Sequence, residues 1–224
     1  FFRPSLHVPH PRGVAFGRTH MAHSAPKLFS LIIFKVSGGK ATILASALDV
    51  SSFGWLERSG VGEGLVFASR TLAERVSPGL SSVNQDQALA YCYKDAEDHV
   101  CVLMCEETYP KRAAITIITE TLRNFKQTYA GQYDGPIKDN HIAAPELAQK
   151  LKRFSDPGEA DKLLKIEREL EETKCIMYSN INALLQRGEK IDDLVSKTAD
   201  LSTHTKGFYK TSKKLNRKCP CSVM

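Results

Sequence analysis

The chain has 224 residues, of which 42% are hydrophobic and 25% charged, values ordinary for a folded protein and against disorder throughout. Its net charge of +6 lies at the ends: no Asp or Glu precedes Asp49 and none follows Asp200, while Lys206, Lys210, Lys213, Lys214, Arg217 and Lys218 crowd the last stretch, a distribution that argues against a nucleic-acid-binding face. The longest apolar runs, such as Ala113 to Ile118, fall far short of the roughly 20 residues of a spanning helix, and Cys92, Cys101, Cys105, Cys175, Cys219 and Cys221 form neither a CxxC pair nor a disulfide framework, which fits a reducing, cytosolic compartment.

Residues 1–20 carry three Arg, three His and three Pro, lack any acid and precede Met21. The prolines disfavour an amphipathic targeting helix, so residues 1–26 read as a disordered extension. Leu28 to Val36 and Ala41 to Leu48 are β-rich runs separated by Ser37, Gly38, Gly39 and Lys40, the pattern of a hairpin. Between Gly54 and Val76 the spacing of Val61, Leu65, Ala68, Leu72 and Val76 predicts a helix with one stripe toward the sheet. Phe67 falls on the other face, in line with Glu63, Arg70 and Glu74. Gly60, Gly62 and Gly64 lie inside this helical period with no following Lys-Ser/Thr, which rules against a phosphate loop.

Pro78 and Gly79 end the helix, and strands are expected around Ser81 to Gln85, Ala88 to Lys94 and His99 to Glu106. Cys101 and Cys105 share one strand face at a spacing that suits core packing rather than metal, and Cys92 is expected to join them inside. No metal site and no catalytic Ser, His and Asp grouping stands out. After Pro110 the helical period returns, with Ala114, Ile118, Leu122, Phe125 and Tyr129 inward, and a short helix is expected near Glu146 to Phe154. The order ββαβββα describes an α+β domain over residues 27–155, a five-stranded antiparallel-type sheet flanked by helices.

Asp156, Pro157 and Gly158 form a hinge that also caps a new helix, with Glu159 at a capping-box position. Over residues 156–218 a coiled-coil seam runs through Leu163, Ile166, Leu170, Thr173, Met177, Asn180, Leu184, Arg187, Ile191, Leu194, Thr198, Leu201, Thr205, Phe208, Ser212 and Leu215. A continuous helix through these positions would be about 80 Å long. An arginine within a seam either snorkels or requires polar partners from other chains, since a homodimer would bury its charge unpaired. The last six residues, 219–224, end in Cys221-Ser222-Val223-Met224, a CaaX tail of the farnesylated form. A single prenyl chain anchors only marginally, which makes Cys219 the candidate for palmitoylation. Beyond these two lipids no cofactor is expected.

The stretch LLQRGEKIDDLVSKTADL closely resembles the centre of the R-SNARE motif of the synaptobrevin superfamily, and LDVSSFGWLERS, YPKRAAITII and GFYKTSKKLN resemble its longin-type members. The resemblance implies a profilin-like longin fold ahead of the SNARE coiled coil and makes Arg187 the ionic-layer residue of a four-helix bundle formed with three Q-SNARE helices. It implies vesicle docking and fusion in place of enzymatic activity, and a lipid-anchored protein of the cytosol and the cytoplasmic face of Golgi, ER, endosomal or vacuolar membranes. Membrane lipids and the SNARE disassembly machinery would be further partners, and nucleic acid would not. It also implies that Phe67 docks the SNARE segment folded back on the longin domain. The competing readings are a lipid-anchored tether or inhibitory SNARE that does not drive fusion, and an acyltransferase using a cysteine.

Overall fold

The computed structural model describes residues 27–85, 88–133, 135, 138–156, 159 and 175–218, excepting the side chains of Gln85 and of residues 212–218. The seam positions Leu163, Ile166, Leu170 and Thr173, the cysteines Cys219 and Cys221, and residues 1–26 lie outside the described residues.

The expected hairpin forms from β1 (Leu28–Ser37) and β2 (Lys40–Leu48). Its turn places Gly38 at φ +57 and Gly39 at φ +78, the left-handed backbone that glycine adopts without steric cost. Helix α1 (Arg58–Arg75) follows, then β3 (Gly79–Gln85), β4 (Ala88–Lys94) and β5 (His99–Glu106), then α2 (Lys111–Thr128) and α3 (Pro145–Phe154).

These strands join in the order β2-β1-β5-β4-β3 with antiparallel neighbours throughout. A sixth strand, β6 (Cys175–Tyr178), extends the sheet beyond β3 and runs parallel to it. The sheet is therefore one strand larger than expected, and the addition comes from the C-terminal segment.

The central strands read as nearly continuous apolar runs because both faces of the sheet are covered. On β1, Leu31 and Ile33 face α2 and α3, while Ile32 and Phe34 face α1. Leu65, Leu72 and Val76 of the α1 stripe are buried, with Val61 and Ala68 packed partly against the same core. Ala114, Ile118, Leu122 and Phe125 seat α2 on the opposite face. Helix α3 closes that side through Leu147, Leu151 and Phe154, and the buried Tyr109 hydroxyl donates a 2.9 Å hydrogen bond to the Phe154 carbonyl.

Cys92, Cys101 and Cys105 are all buried, as expected, on two faces of the sheet. Cys101 and Cys105 lie in the α2 side of the core, but Cys92 lies on the α1 side. Its register partner is Val102, not Cys101, and cross-strand partners share a face. Burial pushes the Cys101 and Cys105 thiols up to about 12 and raises Cys92 well above its ordinary value. Such thiols supply no thiolate nucleophile at neutral pH.

Candidate functional site

In this conformation residues 175–218 are not one continuous helix. After β6 comes a single 3-10 turn (Ile181–Leu184), then α4 (Ile191–Lys197) and α5 (Thr203–Lys218), and the whole segment is folded onto the domain. Two local features interrupt the helical path. The Asn180 side chain accepts a 3.2 Å hydrogen bond from the Ala183 N–H at the start of the 3-10 turn, and Gly188 takes φ +87 in the reversal that follows.

The segment joins the domain by three kinds of contact. Strand β6 pairs with β3 in the register Leu80 to Cys175 through Val83 to Tyr178. Apolar side chains follow: Ile181 is buried against the α1 side of the core, with Tyr178, Leu184 and Ile191 packed partly on it. Val195 and Leu201 are also buried.

The third kind is ionic and centres on the outer face of α1. Arg70 makes a bidentate pair with Asp200, at 2.7 Å from Nε and 3.0 Å from Nη2. The same guanidinium reaches Asp139 at 2.7 Å and donates to the Ala41 carbonyl. One turn on, Arg75 holds Glu189 at 2.6 Å, with Glu74 at 3.1 Å on its other side. At the other end of α1, the Ser202 N–H donates to the Glu63 carboxylate at 2.8 Å.

These contacts shift the carboxylates. The Arg75 guanidinium, helped by the Gln186 N–H, holds Glu189 below its usual value. The Ser202 N–H does the same for Glu63. Burial pushes Asp139 up, but hydrogen bonds from Arg70 and the Ile43 N–H outweigh it and leave Asp139 lowered. All three groups are therefore held in their charged forms: Glu63 and Glu189 join the segment to the domain, and Asp139 braces Arg70 from within the domain.

Phe67 is half-buried between these charged pairs. It lines a cavity of about 580 Å³ together with Leu194, Thr198, Ala199 and Asp200 of the segment and Ala41, Arg70 and Thr71 of the domain. Its neighbours on the polar stripe noted in the sequence, Glu63, Arg70 and Glu74, all serve in this region. Their alignment with Phe67 is visible from helical spacing, but their partners Glu189, Asp200 and Ser202 are not.

Residues 162–224 match the Synaptobrevin family, and residues 50–151 match the Regulated-SNARE-like domain of the Longin family. The chain is 37% identical over 197 residues to VAMP-like protein YKT61 of Arabidopsis thaliana, covering 86% of this chain and 98% of the relative. Over 196 residues and the same shares it is 35% identical to Synaptobrevin homolog YKT6 of Eremothecium gossypii and 34% to Synaptobrevin homolog ykt6 of Schizosaccharomyces pombe. The chain belongs to the YKT6-type synaptobrevin family. It is a longin-bearing R-SNARE of vesicle transport, a non-enzymatic protein whose partners are other SNARE proteins. No helix among the described residues is long and apolar enough to cross a membrane.

Within the R-SNARE segment, the described seam side chains do not form one stripe. Met177 is 72% exposed on β6, and Asn180 is spent on its cap. Leu184, Ile191 and Leu194 are half-buried, Leu201 is buried, and Thr198 and Thr205 are half-buried. Arg187 lies exposed beside Gly188, and Phe208 is 69% exposed on α5. Ser212 and Leu215 belong to α5, and their side chains are outside the described residues.

Proposed function

We propose that this R-SNARE alternates between the folded-back arrangement and an extended helix that assembles with three Q-SNARE helices to dock and fuse vesicle membranes. In the extended form residues 156–218 act as the coiled-coil unit and residues 27–155 as its regulator. Arg187 is the ionic-layer residue, and the apolar seam positions from Leu163 through Leu215 form the layers around it. A farnesyl group on Cys221 and a palmitoyl group on Cys219 attach the chain to the cytoplasmic face of Golgi and related membranes, and the disassembly machinery returns the helix for another cycle.

The supporting observation is the seam itself. Sixteen positions alternate by three and four residues, with a single arginine at the eighth, a pattern that asks for polar partners on other chains. The broken segment adds a reason for two states, since one chain stretch cannot satisfy both the β6 pairing and a continuous heptad. Phe67, which lines the same cavity as Leu194 and Arg70, is the apolar dock that holds the segment back.

The test mixes the full chain with three Q-SNARE helices and follows helicity and melting by circular dichroism. A large helicity gain with a cooperative melt, lowered by Arg187→Ala, is expected only in the mixture. Equal helicity and melting of the chain alone would reject the bundle and point to a self-sufficient coiled-coil tether.

A further inference from the structure

Three of the largest exposed apolar side chains among the described residues are carried by the turn before α1 and by α5, which packs along that helix. Trp55 is 78% exposed and Leu56 74%, immediately before the helix, and Phe208 is 69% exposed on α5. The turn that carries Trp55 and Leu56 is built rather than slack. Gly54 accepts hydrogen bonds from the Glu57 and Arg58 N–H groups, and the Arg58 guanidinium donates to the Ser51 and Phe53 carbonyls at 3.0 and 3.1 Å. The Phe53 ring meanwhile folds inward against Phe29, with centroids 5.8 Å apart. One aromatic residue is thus tucked away while the next two apolar side chains are held out in water.

The direction of α5 sets where Phe208 lies. Asp200 meets Arg70, Ser202 meets Glu63, and Thr205 lies against Gly60, where an added Cβ would come within 3.5 Å of its Oγ1. As the chain advances it moves toward the start of α1, so α5 is antiparallel to α1 and runs out beyond it. Phe208 follows Thr205 by about one turn, which puts it beside the Trp55 end. The remainder of α5 carries Lys210, Lys213, Lys214, Arg217 and Lys218 with no acid among them.

We propose that Trp55 and Leu56, with Phe208, are a membrane-interface contact that inserts at the headgroup level of an anionic bilayer, with the basic residues that follow Phe208 along α5 drawn to the anionic headgroups around it. Tryptophan favours this boundary because its ring is apolar and its indole N–H finds a partner among headgroups. Basic side chains next to such a wedge gain from anionic lipid. Size favours a bilayer over a protein partner: two rings and a leucine cover a few hundred Å², at about 150–250 Å² per aromatic, below the roughly 800 Å² per side of a stable protein interface. The inference rests on the packing of α5 along α1 and needs neither lipidation nor bundle assembly, so its failure would leave the R-SNARE reading standing.

Trp55 is the only tryptophan in the chain, so its emission reports the contact directly. The full chain, produced without lipid modification, is mixed with vesicles of phosphatidylcholine alone or of phosphatidylcholine with phosphatidylserine. A blue shift, and quenching by brominated lipid, are expected only with phosphatidylserine present. The doubly substituted variant Trp55→Ser/Leu56→Ser keeps every lysine and should lose roughly tenfold or more in vesicle partitioning, with unchanged melting because both side chains already face solvent. Co-sedimentation with Trp55 emission unmoved would assign binding to the basic helix alone and overturn the proposal. So would the absence of vesicle binding, or a blue shift that grows with protein concentration before any vesicle is added, which would place a second copy of the chain on Trp55.

Discussion

Replacing Asp200 by Asn and Glu189 by Gln removes both segment-side charges that meet α1, while leaving every seam residue in place. The Arg70–Asp200 side chains are 18% and 11% exposed and the Arg75–Glu189 side chains 14% and 24%, so these pairs are neither fully screened nor fully desolvated. Neither arginine is orphaned, because Arg70 keeps Asp139 and the Ala41 carbonyl and Arg75 keeps Glu74 and the Thr71 carbonyl. The cost per pair therefore sits near the low end for charged hydrogen bonds, about 1–1.5 kcal/mol, or about 2–3 kcal/mol for the two. That moves the closed-to-open equilibrium roughly 30- to 150-fold toward the open form. Amide exchange of Cys175 to Tyr178 reads the change directly, since the β6 ladder opens with the segment, and the hydrodynamic radius should rise with it. Melting of the bundle formed with Q-SNARE helices should not move. Unchanged exchange and radius would refute the reasoning, because the ionic pairs would then contribute nothing to closure.

Phe67→Glu removes the aromatic ring that shares the cavity with Leu194 and puts a charge that must be desolvated in its place, so the radius and the membrane-bound fraction in cells should both increase. Gly188→Ala strains the left-handed reversal by about 1–2 kcal/mol and favours continuous helix by up to about 1 kcal/mol; stopped-flow circular dichroism should show faster assembly with Q-SNARE helices. Tyr109→Phe leaves the buried Phe154 carbonyl without its donor and should cost about 1–2 kcal/mol in urea unfolding. His99 is lowered from 6.5 by burial and by the Lys35 and Lys126 charges, against the opposing pull of Asp95. Its contribution to stability is full above the unfolded value and is lost as pH falls through the lower folded value, so urea midpoints should drop as pH falls below about 6.5, and less so in His99→Gln.

The five strands and the three helices of the domain follow from periodicity, because each has one period and one environment. Leu65 and Leu72, or Ala114 and Ile118, recur at helical spacing and are buried together. The burial of Cys92 is legible in the same way, but not its face, because strand parity says which residues share a face within a strand, not between strands. Only the pairing of Cys92 with Val102 fixes that. Strand β6 is hidden for a different reason. Cys175 to Tyr178 sits within a heptad, and the 3.5-residue period describes the partners the segment meets in a bundle rather than the sheet edge it pairs with here. Arg70 and Phe67 are visible as a stripe, but a partner more than a hundred residues away leaves no local signal, and Asp200 and Glu189 read only as solvated charges between seam positions.

The two arrangements of the segment share only part of their side chains, which is why closure does not have to disable assembly. The buried closed contacts use Ile181 and Val195, which lie off the seam, and the charges of Glu189 and Asp200, which also lie off it. Of the seam positions with described side chains only Leu201 is buried, whereas Met177 and Phe208 stay largely in water and Arg187 keeps its hydration. Each large apolar seam residue transferred from water into a bundle contributes about 1.5–3 kcal/mol; among the described side chains Met177 and Phe208 still have most of that gain to make, and Leu184, Ile191 and Leu194 part of it. Opening must break the two ionic pairs, the β6 ladder and the burial of two or three side chains, all concentrated on α1 and the β3 edge. A partner that engages the exposed seam first can therefore offset those losses as it advances, without waiting for spontaneous release of the whole segment.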